Sequence, residues 1–308
     1  MKILVTGGAG FIGSHVVEEH TQQGDEVFVV DDLSMGSEQN LPKSESVHFF
    51  HESITNNEFM ADLLIKERFD VIYLLAAIAS VADTIERPYE SHLVNQEANI
   101  QILEVIRVNK LQVKRVIFAS SAAVYGTLPD LPKREMGPVE PATAYAIDKY
   151  ATERFVLSYA ELYSIPAVAV RFFNVYGPRQ NPKSPYSGVL SIVANALKTD
   201  SIFQLFGDGE QTRDFVFVKD VTQALFLAER NDEMVGKVFN VATGSVRTLN
   251  EAIADLEAVS GKKLTMVSKP ERTGDIKHSA ADITRLRSFG YEPKYTFKDG
   301  AKVYWESL

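Results

Sequence analysis

The chain has no cysteine. Disulfides, thiolate nucleophiles and cysteine-held metals are therefore excluded. The six histidines (His15, His20, His48, His51, His92 and His278) include no His-x-His or His-x-x-x-His pair, the spacings that turn two imidazoles toward one metal. No metal site is expected. Basic residues are also in deficit, 32 against 41 acids, giving a formal net charge of −9. Such a surface repels nucleic acid and leaves positive charge only for local clusters around an anion. No apolar run reaches the ~20 residues of a membrane-spanning helix, so no membrane partner is expected. The first residues already read as a core strand, which leaves no removable leader. A soluble protein of the cytoplasm is the expectation. The 308 residues, 45% of them hydrophobic, suffice for one large or two modest domains with ample core.

The informative stretch comes first. Lys2 to Thr6 is a short apolar run that predicts a buried strand, and Gly7-Gly8-Ala9-Gly10-Phe11-Ile12-Gly13 follows at once. A helix-like run, Ser14 to Gln23, leads through a Gly24-Asp25 turn into a second strand, Val27 to Val30, that ends at Asp31. Strand, glycine turn, helix, strand and acid make up a dinucleotide-binding βαβ unit. Gly7 permits the tight turn, Gly10 lets backbone N–H groups approach a pyrophosphate, and Gly13 lets the helix pack closely on the strand. Asp31 stands 24 residues after Gly7, where its carboxylate can take both hydroxyls of an adenosine ribose. Asp31 and Asp32 would repel a phosphate on that ribose, and neither position is an arginine. NAD is the expected cofactor rather than NADP.

The alternation continues. Strands are predicted at Val47 to Phe50, Phe69 to Leu75, Arg115 to Ala119 and Ile165 to Val170. Helices are predicted over Ile54 to Lys66, Glu90 to Asn109 and Tyr145 to Tyr163. Ala76, Ala77, Ile78, Ala79 and Ser80 put small side chains on the loop after the fourth strand, where the chain passes close to a cofactor. Asn95, near the start of a helix, ties strand-end loops together if it is buried and is an ordinary surface residue if it is not. From Arg171 the segments shorten: a loop to Ser187, a helix over Gly188 to Lys198, a strand plus turn over Phe203 to Gly209, a strand at Arg213 to Val218, a helix capped by Asp220, a strand at Lys237 to Val241, and helices at Leu249 to Val259 and Asp282 to Phe289. The expected fold class is α/β: a doubly wound, mostly parallel Rossmann sheet over residues 1–170, with some later segments returning to it, and a smaller mixed α/β substrate-binding domain over 171–308.

Tyr145 and Lys149 share one helix face four residues apart. A free phenol, with a pKa near ~10, is a poor base at neutral pH. A neighbouring ammonium, a helix N-terminus and a bound nicotinamide cation each favour phenolate. Ser121, at the end of a strand, can hold the same substrate oxygen. The trio suits hydride transfer at a carbinol carbon.

Five stretches in order carry a specific resemblance: Gly7 to Gly13, Ser120-Ser121-Ala122-Ala123-Val124-Tyr125-Gly126, Tyr145-Ala146-Ile147-Asp148-Lys149, Arg171-Phe172-Phe173-Asn174-Val175-Tyr176-Gly177-Pro178-Arg179, and Gly207 to Phe215. Over nearly its whole length the chain resembles the extended short-chain dehydrogenase/reductase family, and within it the NAD-dependent nucleotide-sugar 4-epimerases of the UDP-glucose and UDP-N-acetylglucosamine type. The resemblance implies Ser121, Tyr145 and Lys149 as catalytic residues. It implies a cofactor site of Gly7, Gly10, Phe11, Ile12, Gly13, Asp31, Asp32, Ser53, Ile54, Ala76, Ala77, Ala79 and Asn95, joined by Tyr145 and Lys149. For a UDP-sugar it implies Ser80, Ser121, Asn174, Val189, Phe206, Arg213, Arg272 and Ser279. Asn174 would meet the diphosphate, with Arg213 and Arg272 as its charge clamps. Two departures stand out: Glu52-Ser53-Ile54 replaces the usual aspartate that meets adenine, and no histidine stands near Leu74.

The reaction implied is epimerisation at C4 of a UDP-hexose. A 4,6-dehydratase is the alternative within the family, but those relatives place an acidic pair where this chain has Ala122 and Ala123. A dinucleotide sensor or protein-binding module is the alternative outside catalysis, and it makes no demand for Ser121, Tyr145 and Lys149 together. Ser279 matches the residue beside the sugar's 2-substituent, and its small size leaves space for an N-acetyl group. A homodimer is expected through a four-helix contact, from Ile100, Leu103 and Ile106 on one helix and Phe155, Tyr159 and Leu162 on another.

Overall fold

The computed structural model describes residues 1–181, 188–271 and 276–308. Thirteen strands are assigned among them. Seven form one sheet: β1 (Lys2–Thr6), β2 (Glu26–Asp31), β3 (Val47–His51), β4 (Val71–Leu74), β5 (Arg115–Ser121), β6 (Ala167–Phe172) and β11 (Val238–Val241). The order is β11-β6-β5-β4-β1-β2-β3, and every pairing is parallel. The strand order reverses between β1 and β4, and a crevice opens there at the carboxyl ends of the strands.

Period-two alternation divides the core. Ile3, Val5, Val27, Val29 and Ile117 face one side, beneath α1 (Phe11–Gln22) and α8 (Val218–Arg230). Leu4, Phe28, Val30, Ile72 and Phe118 face the other, beneath α2 (Asn57–Glu67), α5 (Ala98–Val108) and α6 (Ala144–Tyr163). Strands covered on both faces need apolar residues at every position, and for that reason β1 reads as a continuous run. Between β4 and α5 lie two short helices, α3 (Val81–Glu86) and α4 (Pro88–His92), and a π-helical turn at Leu93–Glu97.

A third core joins the later segments. It gathers β7 (Asn174–Tyr176), α7 (Val189–Thr199), β8 (Phe203–Phe206), β10 (Phe215–Phe217), α9 (Leu249–Ser260) and α11 (Phe297–Glu306) around Phe215, Phe217, Leu256 and Tyr304. β9 (Thr212–Arg213) pairs antiparallel with β12 (Arg247–Thr248), and β13 (Met266–Lys269) pairs parallel with β8. The helix α10 (Thr284–Arg287) packs against β11.

Several expectations need correction. The helix predicted from Ile54 begins at Asn57, because Asn56 caps it through Phe59 N–H at 3.2 Å. The long helix predicted from Glu90 is interrupted by the π turn that contains Asn95. Asp220 does not cap α8. It sits within the first turn, and its carboxylate accepts N–H bonds from Lys294 (2.8 Å) and Tyr295 (3.3 Å), fastening the C-terminal segment. The strand predicted over Arg213 to Val218 breaks at Asp214, whose buried carboxylate takes N–H bonds from Thr243 and Gly244. The predicted dimer faces also change. Leu103 and Ile106 point into their own core, while Phe155 (42% exposed) and Leu162 (66%) face outward. No helix among the described residues is long and apolar enough to cross a membrane.

Candidate active site

A cavity of about 670 Å³ opens over the carboxyl ends of β1, β2, β4, β5 and β6. Its floor is the glycine loop. Gly7 has φ +69°, and a Cβ there would lie 2.8 Å from the backbone N and Cα of Ala76, so only glycine lets the β1 and β4 loops meet. A Cβ on Gly13 would strike the Gly7 carbonyl oxygen and lie 2.8 Å from Gly8 Cα. Gly10 differs: a Cβ there would meet only the Gly7 oxygen, at 3.1 Å, with open space beyond. Gly10 is also the N-cap of α1, which has no side-chain cap and no acid in its first turn. The N–H groups at that end are thus left for an anion, together with the positive end of the helix dipole. Phe11 and Ile12 complete this wall.

Asp31 closes the far end of the cavity, only 8% exposed. Its two oxygens accept N–H bonds from Ala9 and Leu33, both at 2.9 Å, which fix the carboxylate while leaving capacity for further bonds. Burial raises its pKa and those N–H bonds oppose the rise. Asp32, Ser53 and Ile54 line the same end. Asp32 is partly engaged, accepting from Ser34 N–H at 2.9 Å and from its hydroxyl at 2.6 Å. These residues fit a dinucleotide: an uncapped helix end for the pyrophosphate and a fixed carboxylate for the ribose.

Ala76, Ala77, Ala79 and Ser80 line the wall beside β4. Asn95 is fully buried and does not line it. It ties down a loop instead: its Oδ1 accepts from Ile78 N–H at 2.9 Å and its Nδ2 donates to Ile78 O at 3.1 Å. Its own carbonyl accepts from Thr152 Oγ1 at 3.2 Å, coupling the β4 loop to α6.

The helix α6 brings the reactive side chains to the cavity. Thr143 caps it through Ala146 N–H, which places Tyr145 in its first turn. Lys149, one turn on, is 2% exposed and donates from Nζ to Ala119 O at 2.9 Å. Its Nζ lies 5.9 Å from the Tyr145 ring centroid. Burial pulls the Lys149 pKa down to about 8, against the opposing charge of Asp148. Burial raises the Tyr145 phenol above its ordinary value, and a hydrogen bond with Ser121 opposes that rise. Ser121, at the end of β5, also accepts from Ala123 N–H at 3.2 Å. The arrangement can hold a hydroxyl between Ser121 and Tyr145 and move its proton.

Of the residues expected for a substrate, Ser80, Ser121, Asn174 and Val189 line this cavity. Phe206, Arg213 and Ser279 do not. Arg213 Nη1 donates to Thr212 O at 2.9 Å, and Ser279 N–H donates to that same oxygen at 3.1 Å, so these two lie together beside the cavity rather than on its wall. Arg272 lies outside the described residues. The wall also holds Asp83, Arg87, Phe173, Arg179 and Leu190, none of which the sequence marks out as a site residue. Arg179 is visible within the Arg171 to Arg179 motif. Asp83 lies in α3 and Arg87 at the junction between α3 and α4, short elements that no periodicity announces. Among the described residues no group of three His, Asp or Glu side chains is placed to hold a metal.

Residues 3–242 match the NAD dependent epimerase/dehydratase family. The UDP-glucose 4-epimerase of Mycolicibacterium smegmatis is 37% identical, with 97% of this chain and 96% of that protein covered. Among solved structures, the UDP-glucose 4-epimerase of Thermotoga maritima with UDP-glucose superposes with a TM-score of 0.94 at 36% identity, covering 100% of this chain and 98% of that one. The UDP-N-acetylglucosamine 4-epimerase of Methanobrevibacter ruminantium, in complex with UDP-N-acetylmuramic acid, gives 0.93 at 34% identity, covering 99% and 97%. The Thermus thermophilus UDP-glucose 4-epimerase complexed with NAD gives 0.92 at 33% identity, covering 100% and 98%. A glycine-floored cavity, a tyrosine–lysine pair on one helix face and this match over most of the chain agree: the protein belongs to the NAD dependent epimerase/dehydratase family.

Proposed function

We propose that the protein is an NAD-dependent epimerase acting at C4 of a UDP-hexose. The observation that carries this reading is the meeting of Ser121, Tyr145 and Lys149 with the glycine loop in one cavity. Gly7, Gly10, Gly13 and the uncapped α1 terminus would hold the pyrophosphate of NAD, and Asp31 its ribose. NAD, when bound, supplies a reversible hydride acceptor at C4, so that the sugar passes through a 4-keto form. Tyr145, as phenolate, takes the 4-hydroxyl proton and later returns it. Ser121 holds the same oxygen in line with the phenol. Lys149, anchored on Ala119 O, keeps positive charge beside the ring and so favours phenolate. Asn174 meets the diphosphate from the wall, and the roles of Arg213 and Arg272 as cations for that diphosphate rest on the family motif.

Epimerisation is preferred to 4,6-dehydration because Ala122 and Ala123 form the turn after Ser121. The wall carboxylates, Asp31, Asp32, Glu52 and Asp83, stand on other elements. UDP-N-acetylated sugars should be accepted because Ser279 is small. Residues 1–170 with β11 form the cofactor-binding unit in this reading, and most of the remainder binds substrate. The outward Phe155, Leu162 and Tyr163 of α6 cover their counterparts in a second copy, and the enzyme works in the cytoplasm. Incubating the protein with UDP-galactose and UDP-N-acetylgalactosamine, with products followed by NMR, tests the reaction. The corresponding gluco epimers are expected. A 4-keto-6-deoxy product, or no conversion across a nucleotide-sugar panel, would contradict the reading.

A further inference from the structure

One buried carboxylate near the site has no part in the chemistry above. Glu153 is fully buried on α6, one turn beyond Lys149 and on the same face as Tyr145 and Lys149. Its Oε2 accepts from Ser120 Oγ at 2.7 Å and from Arg171 Nε at 2.8 Å, and its Oε1 accepts from Arg171 Nη2 at 2.6 Å. Ser120 and Arg171 are register partners on the adjacent strands β5 and β6. Ser120 immediately precedes Ser121. Arg171 stands three residues before Asn174. Arg171 also donates from Nη1 to Glu135 O at 3.3 Å, and its guanidinium stacks 4.8 Å from the Tyr125 ring centroid. A single side chain therefore bolts the helix of Tyr145 and Lys149 to both strand ends that deliver the other site residues.

We propose that Glu153 is a positioning residue: through Ser120 it sets Ser121 against Tyr145, and through Arg171 it sets Asn174 against both. This rests on the roles proposed above for Ser121, Tyr145 and Asn174. A buried ion pair is a poor source of net stability, since an apolar pair of equal volume often serves as well. Its value here is geometric. The Arg171 fork meets both carboxylate oxygens and permits one orientation only. The Lys149 bond to Ala119 O ties the helix to β5, and the Glu153–Arg171 pair adds a polar tie to β6.

The two tethers separate in kinetics. Ser120→Ala removes the Glu153 tie to β5 and leaves the Glu153–Arg171 pair intact. It should lower kcat for UDP-galactose on the order of tenfold to a hundredfold, the scale of a sub-ångström to ångström misplacement, with KM little changed. The double variant Glu153→Gln/Arg171→Met avoids a lone buried charge and keeps an acceptor for Ser120. It removes the polar tie to β6, and should raise KM severalfold with a smaller effect on kcat. Glu229→Gln is the control, because Glu229 is buried against Tyr73 and His20 under the opposite face of the sheet. It should lower stability while leaving kcat and KM per folded molecule unchanged. If Ser120→Ala and the double variant behave like Glu229→Gln, with both constants within twofold of native, Glu153 is only structural and the proposal is wrong. A native enzyme that fails to convert UDP-galactose would instead contradict the reaction assigned above, so the two failures are distinguishable.

Discussion

Lys149 gives a quantitative test of the site's electrostatics. Burial lowers its pKa from 10.5 to about 8 in the folded protein. A pKa change of one is worth about 1.4 kcal/mol, so holding the charged ammonium inside costs the fold about 3 kcal/mol. The sign follows from proton counting. Between pH 8 and 10.5 the unfolded chain keeps the Lys149 proton and the native protein has shed it. Unfolding then takes up a proton, so stability gains from this residue as pH rises through that window. Below pH 8 both states are protonated and the full cost stands. Lys149→Met keeps an unbranched stem, removes the charge and forfeits the bond to Ala119 O, worth about 1 kcal/mol. At pH 7 the variant should be more stable than native by about 2 kcal/mol. That advantage should shrink and reverse toward pH 10. Urea unfolding of both proteins, without added nucleotide, from pH 7 to pH 10 measures the difference, in which the other titrating groups cancel. Parallel stability curves would refute the claim that Lys149 is held in a site that disfavours its charge.

Tyr145→Phe removes the proton carrier, and kcat should fall by about 10²–10⁴ with the protein still folded and NAD still bound; nucleotide content and progress curves check both. Gly13→Ala forces a methyl into the Gly7 carbonyl, and should cost about 1–3 kcal/mol of stability together with NAD affinity. Gly10→Ala brings its methyl 3.1 Å from the Gly7 oxygen and otherwise faces open cavity, so Tm should fall less than for Gly13→Ala while NAD binding weakens, as calorimetry would show. Ser279→Tyr should suppress turnover of UDP-N-acetylgalactosamine more than that of UDP-galactose; equal kcat/KM losses for the two would remove Ser279 from the sugar pocket. Leu162→Glu, on the outward face of α6, should convert a dimer to a monomer in sedimentation at micromolar protein.

What was legible in the sequence was local. The glycine loop and Asp31 sit within one βαβ unit, and Tyr145 and Lys149 within one helix turn, so spacing brings each pair together, and the family resemblance supplies the role of the second. The unforeseen parts depend on distant partners. Asn174 to Tyr176 reads as loop because only its pairing with Phe215 to Phe217 makes it a strand. Asp220 has the look of a helix cap, and its actual partners are the Lys294 and Tyr295 amides, more than seventy residues away. Asn95 could be weighed but not resolved, since its burial depends on how the π turn meets Ile78. Leu103 and Ile106 are apolar whether a helix faces its own sheet or a second copy, and only packing separates the two cases. The helix at Phe297–Glu306 is amphipathic, with Phe297, Gly300, Ala301 and Tyr304 on its buried face, and the sequence reading leaves it out. Arg213 and Ser279 came from motif resemblance, which carries a role but not a distance to the cavity wall.

The central claim is that the hydrogen at C4 leaves and returns within one active site. UDP-galactose carrying deuterium at C4 tests it most directly, with the product analysed by NMR and mass spectrometry after partial conversion in ordinary water. The account predicts UDP-glucose that keeps the deuterium at C4, with no solvent hydrogen at any sugar carbon. Loss of the label to solvent, or its appearance at C6 of a 4-keto-6-deoxy sugar, would contradict it.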